Sequence, residues 1–308
     1  MKKTNLLITL SLMMTALVGC SPINQYHYVP GKVNIVTTTT MLGDLAKVIG
    51  GDSVSVFSIM KPGVNPHSYN PKPSDARALS KADLVILNGL HLEAKMGDVL
   101  LSIDETKRLI ASDILETLDP TPIILTSSGQ HDPHIWNDIE NWKYIATSIK
   151  DKLTEIDDHH QSDYEANLAI YHHQLDDLNV EIEGLVSQID ATNRVLITAH
   201  DAFAYLGRAY DFEVHSIQGI STQSEASVKD IQDLANLVVS LDVKAIFVET
   251  SVPENTIRSV IEAVNAQGKG LVIGDHLYSD SLGDEQSGAD TYVTMYRHNM
   301  TTIVDALR

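Results

Sequence analysis

A single cysteine in 308 residues removes two chemistries at once: no disulfide closes within the chain, and no thiolate cluster holds a metal. Positive charge is scarce as well. Against 41 Asp and Glu stand 22 Lys and Arg, a formal net charge of −19. A surface this acidic repels the phosphate backbone, which excludes nucleic-acid partners. With 10 Pro and 17 Gly the chain is neither collagen-like nor low-complexity, and 43% hydrophobic residues suffice for a folded core. The apolar run Leu6–Val18 covers about 13 residues, short of the ~20 that a membrane-spanning helix needs. Common enzyme signatures are missing too. There is no Gly-x-Ser-x-Gly elbow, no Gly-x-Gly-x-x-Gly, no phosphate-binding loop ending in Gly-Lys-Ser/Thr and no His-Glu-x-x-His.

What is present begins with that short run. Lys2 and Lys3 precede it and Leu17-Val18-Gly19-Cys20 ends it, so residues 1–19 read as a signal peptide. The Leu-x-Gly-Cys ending resembles the lipobox of bacterial lipoproteins and makes Cys20 the expected lipid attachment site. Several acyl chains on one residue hold firmly to a bilayer, because each buried methylene adds about 0.8 kcal/mol. Residues 20–32, with Pro22, Pro30 and Gly31, read as a tether. The body is therefore expected outside the cytoplasmic membrane, on the cell surface or in the periplasm, and tied to a lipid layer.

From Val33 onward short β-branched runs alternate with helical stretches, the pattern of parallel α/β architecture. Strands are expected at Asn34–Thr39, Ser53–Met60, Leu84–Asn88 and Arg108–Ser112, with helices at Met41–Gly50, Ser74–Lys81 and Leu92–Leu101. The second half repeats the scheme. Its strands are expected at Val195–Ala199, Glu213–Ile217, Ala245–Thr250 and Gly270–Gly274, with helices at Ala202–Tyr210, Ser227–Ser240, Pro253–Ala266 and Ala289–Leu307. Between the halves, Asp158 to Ile189 lacks Pro and spaces Leu168, Tyr171, Leu175, Leu178, Ile182, Leu185 and Ile189 as one helical face. At ~1.5 Å per residue that span is about 48 Å long, a strut and not a flexible hinge. The expected organisation is two α/β lobes, 33–157 and 191–308, each with a mostly parallel four-stranded sheet flanked by helices. One long rigid helix over 158–190 links them.

The chain carries 13 histidines. His159, His160, His172 and His173 sit on the strut among acids and read as solvated. His91, His215, His276 and His298 share no motif, and His27 lies in the tether. Three others follow strand-end or loop signals: His67 in Asn65-Pro66-His67, His134 in Asp132-Pro133-His134, and His200 in Thr198-Ala199-His200-Asp201. Ligands of open α/β folds bind at the carboxyl edge of the strands. Prolines before His67 and His134 restrict the preceding residue and fix how each loop presents its imidazole. Ser279-Asp280-Ser281 follows the last expected strand and offers a carboxylate. Three nitrogens and one oxygen without sulfur suit a divalent first-row ion.

These motifs, together with Ile86-Leu87-Asn88-Gly89-Leu90 and Gly219-Ile220-Ser221-Thr222 before Glu225-Ala226-Ser227, occur in one order along the whole mature chain. In that order they resemble the metal-receptor lipoproteins of bacterial ABC importers, the TroA-like group once called adhesin lipoproteins. The resemblance implies one ion held between two lobes by His67, His134, His200 and Asp280. It also implies a permease pair with a cytoplasmic ATPase as partner, and a receptor that works as a monomer without catalysis. The His-His-His-Asp version is linked with Mn2+ and Zn2+. The stretch from Leu118 to His134 is short and holds only His131 besides His134, which tilts the expectation towards manganese; His131 itself reads as a surface or neighbouring residue. A liganding imidazole usually gives its other N–H to a carboxylate, and Glu249 is the candidate for that place. Trp136 is expected to wall the site. Two rival readings stay open, a zinc hydrolase with a three-histidine site and an adhesin with a structural metal.

Overall fold

The computed structural model describes residues 25–126 and 128–308. Cys20 and the segment 1–19 lie outside the described residues. The first lobe runs β1 (Val33–Thr37), α1 (Thr40–Gly50), β2 (Val54–Ser58), α2 (Pro73–Lys81), β3 (Leu84–Leu87), α3 (Gly97–Leu101), β4 (Arg108–Ile110), α4 (Asp113–Glu116) and α5 (Ile139–Ile156). Its four strands are parallel in the order β2-β1-β3-β4. Central β1 and β3 are buried at every residue, which is why their sequences, VNIVT and LVIL, read as nearly unbroken apolar runs. Helix α1 starts where the Thr39 hydroxyl accepts the Leu42 N–H at 3.4 Å. It ends at Gly51, whose φ of +53° falls where a side chain is strained.

One expected helix is largely absent. Over Leu92–Leu101 the chain instead forms a 3-10 turn, Ala94–Met96, and the short α3. Before it Gly89, Leu90 and His91 all have positive φ, at +89°, +52° and +64°. The cause is Glu93, which is buried. Its carboxylate turns back to accept the N–H groups of Asn88 at 2.8 Å and Gly89 at 3.3 Å and the Thr38 hydroxyl at 2.6 Å. Those bonds replace the helical ones and curl the segment left-handed.

The long helical periodicity resolves into a 3-10 turn, Asp158–His160, and α6 (Gln161–Val186). The break falls at Asp157, whose Oδ2 accepts from His160 at 2.8 Å and the Tyr164 hydroxyl at 3.1 Å. At 26 residues α6 is about 39 Å long. Its buried stripe, including Tyr171, Leu175, Leu178 and Ile182, packs on α1 and α5 of the first lobe and α10 of the second.

The second lobe runs β5 (Val195–His200), α7 (Ala204–Tyr210), β6 (Glu213–Gln218), α8 (Val228–Ser240), β7 (Ala245–Glu249), α9 (Asn255–Ala266), β8 (Val272–Leu277) and α10 (Tyr292–Leu307). Strand β5 pairs with β6, and β7 with β8, both in parallel. Because β5 lies against β7, the spatial order β6-β5-β7-β8 copies that of the first lobe. The expected four-stranded sheet is here two ladders side by side, and the β7–β8 ladder slips register between Ile246 and Val248. Strand β8 also starts two residues later than expected. The apolar run Leu271-Val272-Ile273 marks only its beginning, and the strand continues to Leu277 through Gly274, Asp275 and His276, with Val272 and Ile273 61% and 39% exposed on this outer strand.

One apolar core runs beneath both lobes. Trp142 of α5 stacks on Tyr292 of α10 with ring centroids 4.8 Å apart and planes 16° from parallel. The Trp142 indole donates to the Tyr171 hydroxyl at 3.1 Å, while Tyr292 and Tyr296 donate to the carbonyls of Trp136 and Asn137. Full burial of one such ring is worth about 4 kcal/mol in area before entropy is counted. Polar bonds cross between the lobes as well: Gly63 N–H to Ser281 Oγ at 2.8 Å, Tyr292 N–H to Asp44 at 2.8 Å and the Trp136 indole to the Ser279 carbonyl at 2.9 Å.

Candidate metal centre

Four elements end at one point between the lobes. The loop after β2 carries His67, the segment before α5 carries His134, β5 ends at His200, and the turn after β8 carries Asp280. All four side chains are buried, and each turns one ligand-type atom inward so that the four atoms lie within 4.8 Å of one another. His67 Nε2 is 3.2 Å from His134 Nε2 and 3.9 Å from Asp280 Oδ1. The same oxygen stands 3.5 Å from His134 Nε2 and 3.3 Å from His200 Nε2. The edge of a tetrahedron around an ion bonded at ~2.0–2.1 Å is about 3.3–3.4 Å. His200 Nε2 and Asp280 Oδ1 are buried with no hydrogen-bond partner, an arrangement that a shared cation would satisfy. The residues fit a divalent ion held by three nitrogens and one oxygen.

The first-lobe histidines are presented by matching turns. In Asn65-Pro66-His67 the Asn65 Oδ1 accepts the His67 N–H at 2.9 Å, and in Asp132-Pro133-His134 the Asp132 Oδ1 accepts the His134 N–H at 2.9 Å. Asp132 does more, because the same oxygen meets His134 Nδ1 at 2.7 Å. That pairing fixes the ring so that Nε2 faces the centre. Sequence reasoning passed over Asp132, although an Asx two residues before a histidine was its signal. Across the cleft Glu249, at the end of β7, lies against His200. Its Oε1 accepts the His200 N–H at 2.9 Å, and its Oε2 lies 2.5 Å from His200 Nδ1.

Charge follows this arrangement. Burial lowers His67, against the pull of Asp280 and with help from His134 and His200, and its pKa falls to about 4. Burial opposes the charge on His134 as well, but Asp132 and Asp280 outweigh it and raise that pKa to about 9. His200 is held well above its usual range, since Glu249 and Asp280 overcome its burial. Burial would raise Asp280, yet the imidazoles around it, His200 foremost, keep it well below the ordinary carboxylate range. The centre is thus a compact set of opposing charges, with Asp280 held among three imidazoles.

Other groups steady it. The Trp136 ring stands edge-on to His134 at 5.4 Å between centroids, forming part of the wall. Ser251 donates to Asp280 Oδ2 at 3.1 Å, leaving Oδ1 for the centre. Gln223 donates to the His67 carbonyl at 3.0 Å from the opposite lobe. Neither Ser251 nor Gln223 had a sequence signal, because Ser251 meets Asp280 only through the fold of the second lobe and Gln223 meets His67 only across the lobes. The remaining histidines are elsewhere: His160, His215 and His276 face acids, and His172 faces the Lys143 carbonyl. His131 is exposed and, with His91, lines a cleft of about 420 Å3 that reaches His67.

Two α/β lobes closed on a helix, with a polar centre at their carboxyl edges, define a cleft-type solute-binding protein. The chain belongs to the family described as ZnuA, zinc-uptake complex component A periplasmic, whose model matches residues 35–306. It is 37% identical over 294 residues to the manganese-binding lipoprotein MntA of Bacillus subtilis (strain 168), covering 95% of each chain. To the zinc-binding protein TroA of Treponema pallidum (strain Nichols) it is 38% identical over 277 residues, covering 90% of this chain and 89% of that one. The solved structure of the periplasmic zinc-binding protein TroA from Treponema pallidum superposes with a TM-score of 0.86 over 90% of this chain and 99% of that one.

Proposed function

We propose that this protein captures a divalent transition-metal ion, Mn2+ or Zn2+, outside the cytoplasmic membrane and hands it to an ABC permease for import. His67, His134, His200 and Asp280 are the ligands, with Asp132 and Glu249 orienting His134 and His200. The observation that carries this reading is the convergence of four buried donor atoms within 4.8 Å. Kinship with manganese- and zinc-binding relatives supports the cargo. Ser251 on Asp280 Oδ2 favours a one-oxygen contact and four-coordination, the zinc geometry, while a carboxylate freed to bind through both oxygens suits manganese. Four protein donors leave no open position for an activated water, so the chain binds and releases without chemistry.

The same reading assigns residues 1–19 to a signal peptide, Cys20 to lipid attachment, 20–32 to a tether and 33–157 and 191–308 to the lobes joined by 158–190. The receptor works as a monomer, and its partners are the permease subunits with their cytoplasmic ATPase. Elemental analysis of purified protein, followed by competition between the two ions, tests the cargo. Asp280→Ala should weaken ion retention by at least about 100-fold, whereas His172→Ala should leave it unchanged. Equal retention by both variants overturns the assignment.

A further inference from the structure

Away from the metal centre, beside the edge strand β2, lies a pocket of about 350 Å3 that breaks the acidity of the rest of the chain. Lys61, Lys72, Arg77 and Lys81 line it. Several lysines elsewhere are matched to acids, as Lys143 is to Asp176, Lys229 to Asp233 and Lys269 to Asp242, while others such as Lys32, Lys47 and Lys95 stand singly among the described residues. None of the four pocket cations has an acidic ion-pair partner among the described residues. The pocket's own acid, Asp75, is turned inward and occupied by the Tyr69 hydroxyl and the Lys72 N–H, both at 2.7 Å. Aromatic rings fill the space between the cations: Lys61 Nζ sits 4.2 Å over Phe57, and the Tyr26 hydroxyl reaches the Lys81 carbonyl. Just beyond Tyr26, Tyr28 and Val29 are 51% and 36% exposed. Cations interleaved with exposed aromatic and apolar side chains are the composition of a membrane–water interface.

Position sharpens the point. Gln25, which forms one wall, stands only five residues from Cys20, a contour of at most about 18 Å. A chain anchored through Cys20 therefore keeps this pocket within reach of the lipid headgroups whatever the rest of the molecule does. An anionic leaflet repels a chain of net charge −19, and a basic patch this near the anchor is a face that such a leaflet attracts.

We propose that this pocket seats the phosphodiester of an anionic phospholipid and holds the anchored receptor with its first lobe against the bilayer. The proposal rests on the lipid-anchor reading of Cys20. The test uses the lipidated chain from Cys20 onward in vesicles of phosphatidylcholine alone or with phosphatidylglycerol, with amine acetylation of single lysines read by mass spectrometry. Lys72 and Lys81 should be protected at least five-fold by phosphatidylglycerol relative to phosphatidylcholine. Exposed Lys229 should not change. Added Arg77→Gln should cut the protection below two-fold without altering ion retention. Flotation separates the two readings. A chain that floats with neither vesicle removes the anchor and the reach argument with it. A chain that floats with both but labels equally overturns the pocket's role alone. Equal protection by inorganic phosphate without vesicles, or protection that appears only with permease present, also overturns the membrane as its source.

Discussion

His67 and His200 face each other across the cleft and are held in opposite ways. His200 ends a buried strand, and Glu249 touches both its backbone and its ring. His67 sits in a loop, fixed by main-chain bonds to Asn65 and Gln223, and no described residue pairs its Nδ1. His134 sides with His200, because Asp132 locks it in the same double manner. Two imidazoles are thus charged and clamped, and one is neutral and lightly held. The difference leads us to expect unequal ligands, with the clamped pair setting affinity and the loose one setting how quickly the ion comes and goes.

The sharpest way to break this contrast is Glu249→Ala. Removing the carboxylate strips the buried His200 of its partner, so ion affinity should fall by about 100-fold and unfolding of the ion-free protein should be easier by about 3 kcal/mol. Titration calorimetry and denaturant unfolding read the two effects; an unchanged affinity would put His200 in the same class as His67. Asp132→Asn keeps the main-chain bond but not the charge, and about a ten-fold loss in the same titration is expected.

Proton counting probes the contrast at natural sequence. At neutral pH the ion meets His67 already neutral, whereas His134, raised to about 9, and His200 must give up protons. Binding should release about two protons, measured from heats in buffers of different ionisation enthalpy. Release of none or of three would erase the distinction. Affinity should rise with pH towards about 9. The stability that charged His134 gives the ion-free fold runs the other way: fully present below its unfolded value of about 6.5, it is lost as pH climbs through about 9. The mildest effect belongs to Gln223→Ala, which frees the His67 loop. Ion release in stopped flow should quicken about three-fold with equilibrium affinity nearly kept.

Much of this was legible beforehand where a local pattern had one physical meaning. Buried β1 and β3 announced themselves as apolar runs, and the prolines beside His67 and His134 marked loops built to present a ring. Legibility failed where a distant group decided the outcome. Glu93, at the start of the expected helix, bonds back to the Asn88 and Gly89 N–H groups and across to the Thr38 hydroxyl, partners that the helical spacing of Leu92–Leu101 does not announce. The apolar run Leu271-Val272-Ile273 marks only the beginning of β8, whose continuation through Gly274, Asp275 and His276 carries no apolar side chain, so the strand lies two to three residues later than that run suggests. Ser251 and Gln223 acquire their roles only through contacts between segments far apart in sequence.

The stack of Trp142 on Tyr292 has a bearing on how this molecule can be re-engineered. Because α5, α6 and α10 share one interior, a splice that takes one half from a relative and leaves the other would set mismatched rings against each other. A workable hybrid must exchange the strut, the helix before it and the C-terminal helix as a unit, leaving only the strand-end loops free to be swapped singly.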